Sequence, residues 1–194
     1  MLDAKRLALM KNELYKDHWS IETMIHMTQR ILACEQLTQV TVIDSLLLSI
    51  IVDTPDTNPA THIKVLRERC SPPTLALLLF PLFYNAQWSL LIYLSHYKQW
   101  MHFTTGEKHK HFMSRVQTRL HQLNIVNMHE TKSLSCDVVT HDAHIIFYIY
   151  LMIRKFDILA TSGYQSFIQS LSQEMPLLNE RNRKSFLLRL EAIL

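Results

Sequence analysis

Only two glycines, Gly106 and Gly163, occur in 194 residues. Phosphate-cradling loops need several glycines so that backbone amides can approach the ligand, and so do the dinucleotide fingerprint and the Gly-flanked nucleophile elbow. None of these motifs is present, which argues against a nucleotide-dependent enzyme. Cysteine is scarce too: Cys34, Cys70 and Cys136 are odd in number and far apart, so they form neither a disulfide framework nor a zinc spacing. A reducing, intracellular compartment is the resulting expectation. Charge of either sign is modest, with 20 Lys and Arg against 17 Asp and Glu. The net of +3 is too small to imply a nucleic-acid surface. Two basic clusters, residues 108–119 and 181–189, have helical spacing and read as solvated faces. Long apolar runs are missing as well: residues 74–84 contain Pro81, and residues 145–153 are too few to cross a bilayer.

What is present is the composition of a globular domain, 48% apolar and 19% charged, in a chain long enough to bury a substantial core. Residues 1–15 mix Lys5, Arg6, Lys11 and Glu13 with Leu7, Leu9 and Leu14. That is an amphipathic helix, without the apolar centre of a signal peptide. Ser20 reads as the N-cap of a second helix, with Glu22 in its first turn and Ile21, Met24, Ile25, Thr28 and Ile31 at helical spacing. Residues 40–43 read as a short strand, and Asp44 or Ser45 caps a helix over 46–52. A proline-bearing surface loop covers 53–59, and a short helix over 62–69 stops at Ser71-Pro72-Pro73.

Residues 74–105 organise the rest. An apolar run ending in a bend at Pro81, a Trp-led run from Gln87, and residues 99–103 read as three successive strands. Phe112, Val116, Leu120 and Leu123 then mark one face of a helix whose wet side carries Lys108, Lys110, Arg115 and Arg119. Residues 125–128 read as a further strand and 130–141 as a loop. Asp142 opens a helix over 143–156 that is apolar on nearly every side, the pattern of an element central to a fold. Amphipathic helices over 164–173 and 182–194 close the chain.

Five stretches carry a resemblance. They are Trp19 with Ser20-Ile21-Glu22, then Val40-Thr41-Val42-Ile43-Asp44, then Phe80-Pro81-Leu82 leading into Trp88-Ser89-Leu90-Leu91. Trp100-Met101-His102-Phe103-Thr104-Thr105 and Asp142-Ala143-His144 follow. In order and spacing they resemble the Ulp-type SUMO and ubiquitin-like-protein proteases, which are papain-like cysteine proteases. The resemblance spans roughly residues 14–160 of a single domain, with 1–13 and 161–194 as flanking helices. It implies an α+β, papain-like fold, with a central mixed sheet flanked by helices.

Such a protease needs a thiolate at a buried helix N-terminus, a histidine beside it, a carboxylate to orient the imidazole and a side-chain donor for the oxyanion. The resemblance places Ala143 where the family has cysteine, Gln87 where it has histidine, Thr104 where it has aspartate and Asp137 where it has glutamine. It therefore implies a pseudoenzyme whose function is protein interaction. A competing reading keeps enzyme activity as a cysteine hydrolase or deSUMOylase through a relocated Cys136 with His141. Cys136 falls in the predicted loop, without a helix dipole to activate it. The histidine pairs His109-x-His111 and His141-x-x-His144 lack a cysteine or carboxylate complement, so neither a metal nor another cofactor is expected.

In the family the Gly-Gly tail of a ubiquitin-like modifier runs between two tryptophans, and the matching residues here are Trp19 and Trp88. The resemblance thus implies SUMO first, or another ubiquitin-like modifier, as a partner, with bulky His144 narrowing the tail path. The other partner class is an unrelated protein held by a scaffold. Candidate docking stripes are Phe186, Leu187, Leu190 and Leu194 in the last helix and Leu7, Leu9 and Leu14 in the first, with core packing as the favoured reading of each. Neither membrane nor nucleic acid is an expected partner. The expected location is nucleus or cytoplasm, the nucleus first by analogy with SUMO proteases.

Overall fold

The computed structural model describes residues 4–16, 18–35, 37, 39–53, 60–70, 77–103, 107–125, 142–175 and 180–194. The elements are α1 (Ala4–Leu14), α2 (Ile21–Glu35), β1 (Val40–Val42), α3 (Ser45–Asp53), α4 (Ala60–Cys70), β2 (Leu77–Tyr84), β3 (Gln87–Leu94), β4 (Gln99–Phe103), α5 (Glu107–Gln122), α6 (Asp142–Arg154), α7 (Phe156–Glu174) and α8 (Glu180–Ile193). They fall into two compact units, Met1–Leu37 with His141–Leu194, and Thr38–Thr140.

The second unit is built on a four-stranded mixed sheet in the order β1-β2-β3-β4. β1 runs parallel to β2, with Val40 opposite Leu77 and Val42 opposite Leu79. The β2–β3 and β3–β4 pairs are antiparallel hairpins. The predicted bend at Pro81 is absent, because β2 runs through it to Tyr84, with Pro81 opposite Leu90. Proline is tolerated here because β1 pairs only as far as Leu79, so the missing N–H falls on an unpaired side of the strand. Asn85 and Ala86 turn the hairpin at φ 51 and 58. That is a two-residue turn with both central residues left-handed, usually the place for glycine.

One sheet face carries Leu78, Phe80, Leu82, Leu91, Tyr93 and Trp100, and it forms a core with Leu48 and Ile51 of α3, Leu66 of α4 and Phe112, Met113, Val116 and Leu120 of α5. Trp100 sits between Phe80 and Tyr93, ring centroids 5.8 and 4.7 Å away. Leu79, Leu90, Ile92 and Met101, of opposite parity, are buried as well. Asp44 caps α3, its Oδ1 accepting from Leu46 N at 2.8 Å. At the C-terminus of α5, Asn124 is left-handed (φ 53), Ile125 N donates to Leu120 O at 3.0 Å and Asn124 N to His121 O at 2.9 Å. This Schellman motif folds Ile125 back onto the core and takes it out of the expected strand. The other three positions of that strand, 126–128, and the 130–141 loop lie outside the described residues.

The first unit is helical. α6 packs against α2, α7 and α8. Its Ala143, Ile145, Ile146, Ile149 and Met152 are fully buried, as expected of a helix apolar all round. α7 is broken at Gly163 (φ 80, ψ −179), a conformation open essentially to glycine alone; the part after the break is the helix expected over 164–173, and the part before it was not expected as a separate helix. No described helix is long and apolar enough to cross a membrane.

The last helix corrects the docking candidacy of its stripe in favour of core packing. Phe186, Leu187 and Leu190 are buried, and the Phe186 ring meets Phe147 of α6 edge-on at 5.0 Å. Leu194 is half-buried. The apolar surface of α6 has to be covered, and this stripe covers part of it, so it is not a docking face. Of the α1 stripe, Leu14 is buried, Leu7 half-buried and Leu9 exposed.

Candidate functional site

The helix whose start the resemblance singles out begins in the first unit at Asp142. Asp142 is 5% exposed, and its Oδ2 accepts a hydrogen bond from Trp19 N at 2.6 Å. The exposed imidazole of His18 stands 3.9 Å from the same oxygen. A negative charge is favourable in the first turn of a helix, where backbone N–H groups are unpaired. Ala143 follows at 0% exposure. The place expected for a nucleophile is thus in the first turn of a buried helix, and a methyl group occupies it. His144 is half-buried, its ring 6.4 Å from that of Tyr148.

Trp19 is held from both sides of the chain. On its C-terminal side Ser20 caps α2, its Oγ accepting from Thr23 N at 3.2 Å. One oxygen of Glu13, near the end of α1, accepts from Ser20 N at 3.0 Å, Ser20 Oγ at 2.7 Å and Thr23 Oγ1 at 2.6 Å. Partial burial pushes the Glu13 carboxyl up, but the bonds from Thr23 and Ser20 and the charge of Lys16 outweigh it and hold it below its ordinary value. The Trp19 side chain is 2% exposed.

In the second unit, Gln87 is the first residue of β3 and is exposed. Trp88 beside it is 1% exposed and lies against its cross-strand partner Phe83, ring centroids 5.0 Å apart. In both tryptophans the indole is part of the packed interior. Thr104, Asp137, Cys136 and His141 lie outside the described residues.

A pair that the sequence reading did not single out is His102 with Gln117. Strand alternation places His102 on the face of Trp100, beneath α5, and His102 Nε2 is 2.7 Å from Gln117 Nε2. With the amide donating, the ring accepts at Nε2 and carries its proton at Nδ1. Both residues are buried, and burial pushes the His102 pKa down, so the ring is neutral. The signal was available in the period-two pattern of Trp100-Met101-His102-Phe103 and in a glutamine on the apolar face of α5.

Of the described cysteines, Cys34 is exposed and Cys70 is buried, and burial pushes the Cys70 thiol up to about 12. A thiol so raised is not a nucleophile at neutral pH. Among the described residues no group of three or more His, Cys, Asp or Glu is arranged to hold a metal ion.

No protein-family model and no curated protein matches this sequence. Solved structures do match. A de-sumoylating protease aligns over 95% of this chain and 85% of its own, with TM-score 0.61 and 12% identity. SUMO protease Ulp1, with its catalytic cysteine oxidised to a sulfonic acid, aligns over 97% and 84%, with TM-score 0.62 and 11% identity. The C-terminal Ulp1 protease domain in complex with Smt3, the yeast ortholog of SUMO, aligns over 100% and 97%, with TM-score 0.55 and 12% identity. The chain has the Ulp-type protease fold. Mixed helix and sheet of this kind is the α+β architecture that the resemblance implied. At these identities the likeness carries the fold and leaves the activity open.

Proposed function

We propose that this chain is a catalytically inactive protein of the Ulp-type fold and works as a protein-interaction or scaffold subunit inside the cell. The observation that carries the reading is Ala143, fully buried in the first turn of α6 directly after Asp142. A methyl group has no lone pair to attack a carbonyl, and the Gln87 amide cannot take or return a proton at neutral pH. By the resemblance, Thr104 offers no charge to orient an imidazole, and Asp137 would repel an oxyanion. Cys70 is withdrawn by its burial.

Full-length SUMO and ubiquitin carrying a C-terminal vinyl sulfone test the reading directly. The expected result is no covalent adduct with either. An adduct that disappears in Cys136→Ala would make the protein a cysteine hydrolase with a relocated nucleophile.

A second reading is favoured by the complex of the Ulp1 domain with Smt3. The partner would then be SUMO or another ubiquitin-like modifier, and Trp19 and Trp88 are the residues that the resemblance names for its tail, flat indole faces covering a glycine backbone. Both indoles are buried in the free chain, so tail binding has to open their surroundings. Calorimetric titration with SUMO checks it: binding that weakens in Trp19→Phe, Trp88→Phe supports a tail receptor. Absence of heat leaves the scaffold role.

A further inference from the structure

The candidate stripe of α8 faces inward, and the opposite side of the helix faces outward. Asn182, Ser185, Leu188, Arg189 and Ala192 are exposed at successive turns, with Lys184 beside them. α1 presents a matching stripe of Lys5, Ala8, Leu9 and Asn12, continued past its end by Tyr15. Leu9, Tyr15 and Leu188 are 56%, 46% and 52% exposed. They are three of the four exposed large hydrophobics among the described residues. Within the first unit α1 packs on α8, and the stripes meet where Tyr15 OH donates to Glu191 Oε2 at 2.6 Å, one turn after Leu188.

The charge of this surface is lopsided. α1 and α8 together hold seven Lys or Arg and three Glu, a net of four positive charges where the whole chain has +3. Two of the three anions are used internally, Glu13 by Ser20 and Thr23 and Glu191 by Tyr15 and Lys11. Lys5, Lys184 and Arg189 are exposed and form no ion pair among the described residues.

We infer that the α1–α8 surface is a docking face for an acidic amphipathic helix of a partner protein, whose leucines cover Leu9 and Leu188 and whose carboxylates meet Lys5, Lys184 and Arg189. Charge complementarity selects the occupant. A nucleic-acid backbone would satisfy the cations but leave Leu9, Tyr15 and Leu188 in water. A membrane surface asks for a continuous apolar face, and here Asn12, Ser185 and Glu191 interrupt it. An acidic helix with leucines at i and i+4 answers both features.

This face rests on the protein-interaction reading above, and the two fail separately. Labelling by the vinyl sulfone probes removes that reading and leaves the face to be tested on its own. The test is a phage-displayed library of helix-length peptides panned on the whole chain and counter-selected on two variants, Leu9→Ser with Leu188→Ser, and Lys184→Glu with Arg189→Glu. All four positions are exposed, so unchanged circular dichroism and melting are expected of both. The face predicts enriched peptides rich in Asp and Glu with leucines at helical spacing. Their affinity should fall by about tenfold or more in either variant and decline with salt. No enrichment, peptides without excess acid, or peptides that bind the variants as well as the parent would overturn it. So would binding of transfer RNA or phosphatidylserine vesicles, lost in the same variants, where peptides fail.

Discussion

Trp19 and Asp142, 123 positions apart in sequence, are joined by a backbone N–H to carboxylate hydrogen bond of 2.6 Å in the interior of the first unit. The bond fixes the turn entering α2 to the first turn of α6, beside the buried Ala143. An aspartate at this place needs no nucleophile next to it to be useful, because it satisfies a buried amide and lies in the favourable field of a helix N-terminus. Asp142→Ala should therefore cost about 1.5–3 kcal/mol, the range for a hydrogen bond to a charged group. Asp142→Asn keeps an acceptor oxygen and should lose about half of that. Urea midpoints of the three proteins check the order. Equal midpoints for Asp142→Ala and the parent would show that the bond contributes nothing net.

His102 makes stability depend on pH in a stated direction. Burial holds its folded pKa below the ordinary value near 6.5, so between the two values the unfolded chain binds the extra proton. The contribution is fully present above about pH 6.5 and is lost as pH falls toward the folded value. His102→Gln keeps a partner for Gln117 and removes the titration. Thermal midpoints between pH 5 and 8 should fall more steeply on the acid side for the parent than for the variant. Parallel curves would mean that the ring is protonated in the fold at no cost.

Much of the fold was legible because its determinants are local. The Trp-led strand, the Ser20 cap and the apolar α6 each declare themselves through periodicity or a capping hydroxyl. What was not legible depended on neighbours. Pro81 breaks a strand in isolation and is tolerated only because β1 stops at Leu79. Phe186, Leu187 and Leu190 look the same in sequence whether they cover α6 or wait for a partner, and only the packing of Phe186 on Phe147 decides it. At the site, Ala143 and Gln87 were named by residue type alone, whereas that one is enclosed and the other exposed needed the structure. The His102–Gln117 pair needed the register of β4 beneath α5 to be seen.

The Glu13 carboxylate gives an acid-side signature distinct from that of His102. It takes three hydrogen bonds from Ser20 and Thr23, and its pKa is held below the ordinary carboxylate value. Its contribution is present above about pH 4.5 and is lost as pH falls through the lowered folded value. Glu13→Gln, with an amide that does not titrate, should flatten stability in that window and lower it at neutral pH by about 0.5–1 kcal/mol, as for a partly exposed cap. Guanidinium titrations at pH 3.5 and 7 measure the difference. An unchanged acid limb in the variant would assign acid sensitivity to other carboxylates.

The shortage of glycine leaves strain that substitution can remove. Asn85 and Ala86 both adopt left-handed backbone at the β2–β3 turn, and for alanine that conformation costs roughly 1–2 kcal/mol because Cβ crowds the following carbonyl. Glycine has no Cβ, although it gives back part of the gain through a more flexible unfolded chain. Ala86→Gly should thus stabilise by about 0.5–1 kcal/mol, seen as a higher urea midpoint at unchanged slope. Ala86→Val, with a branched Cβ in the same place, should destabilise. The hairpin joins the two longest strands of the sheet, so its strain is felt across the cooperative unit rather than in a loose loop. A glycine variant less stable than the parent would mean that the turn is not held at the left-handed geometry, and Trp88, two residues on, would then be set by its packing on Phe83 alone.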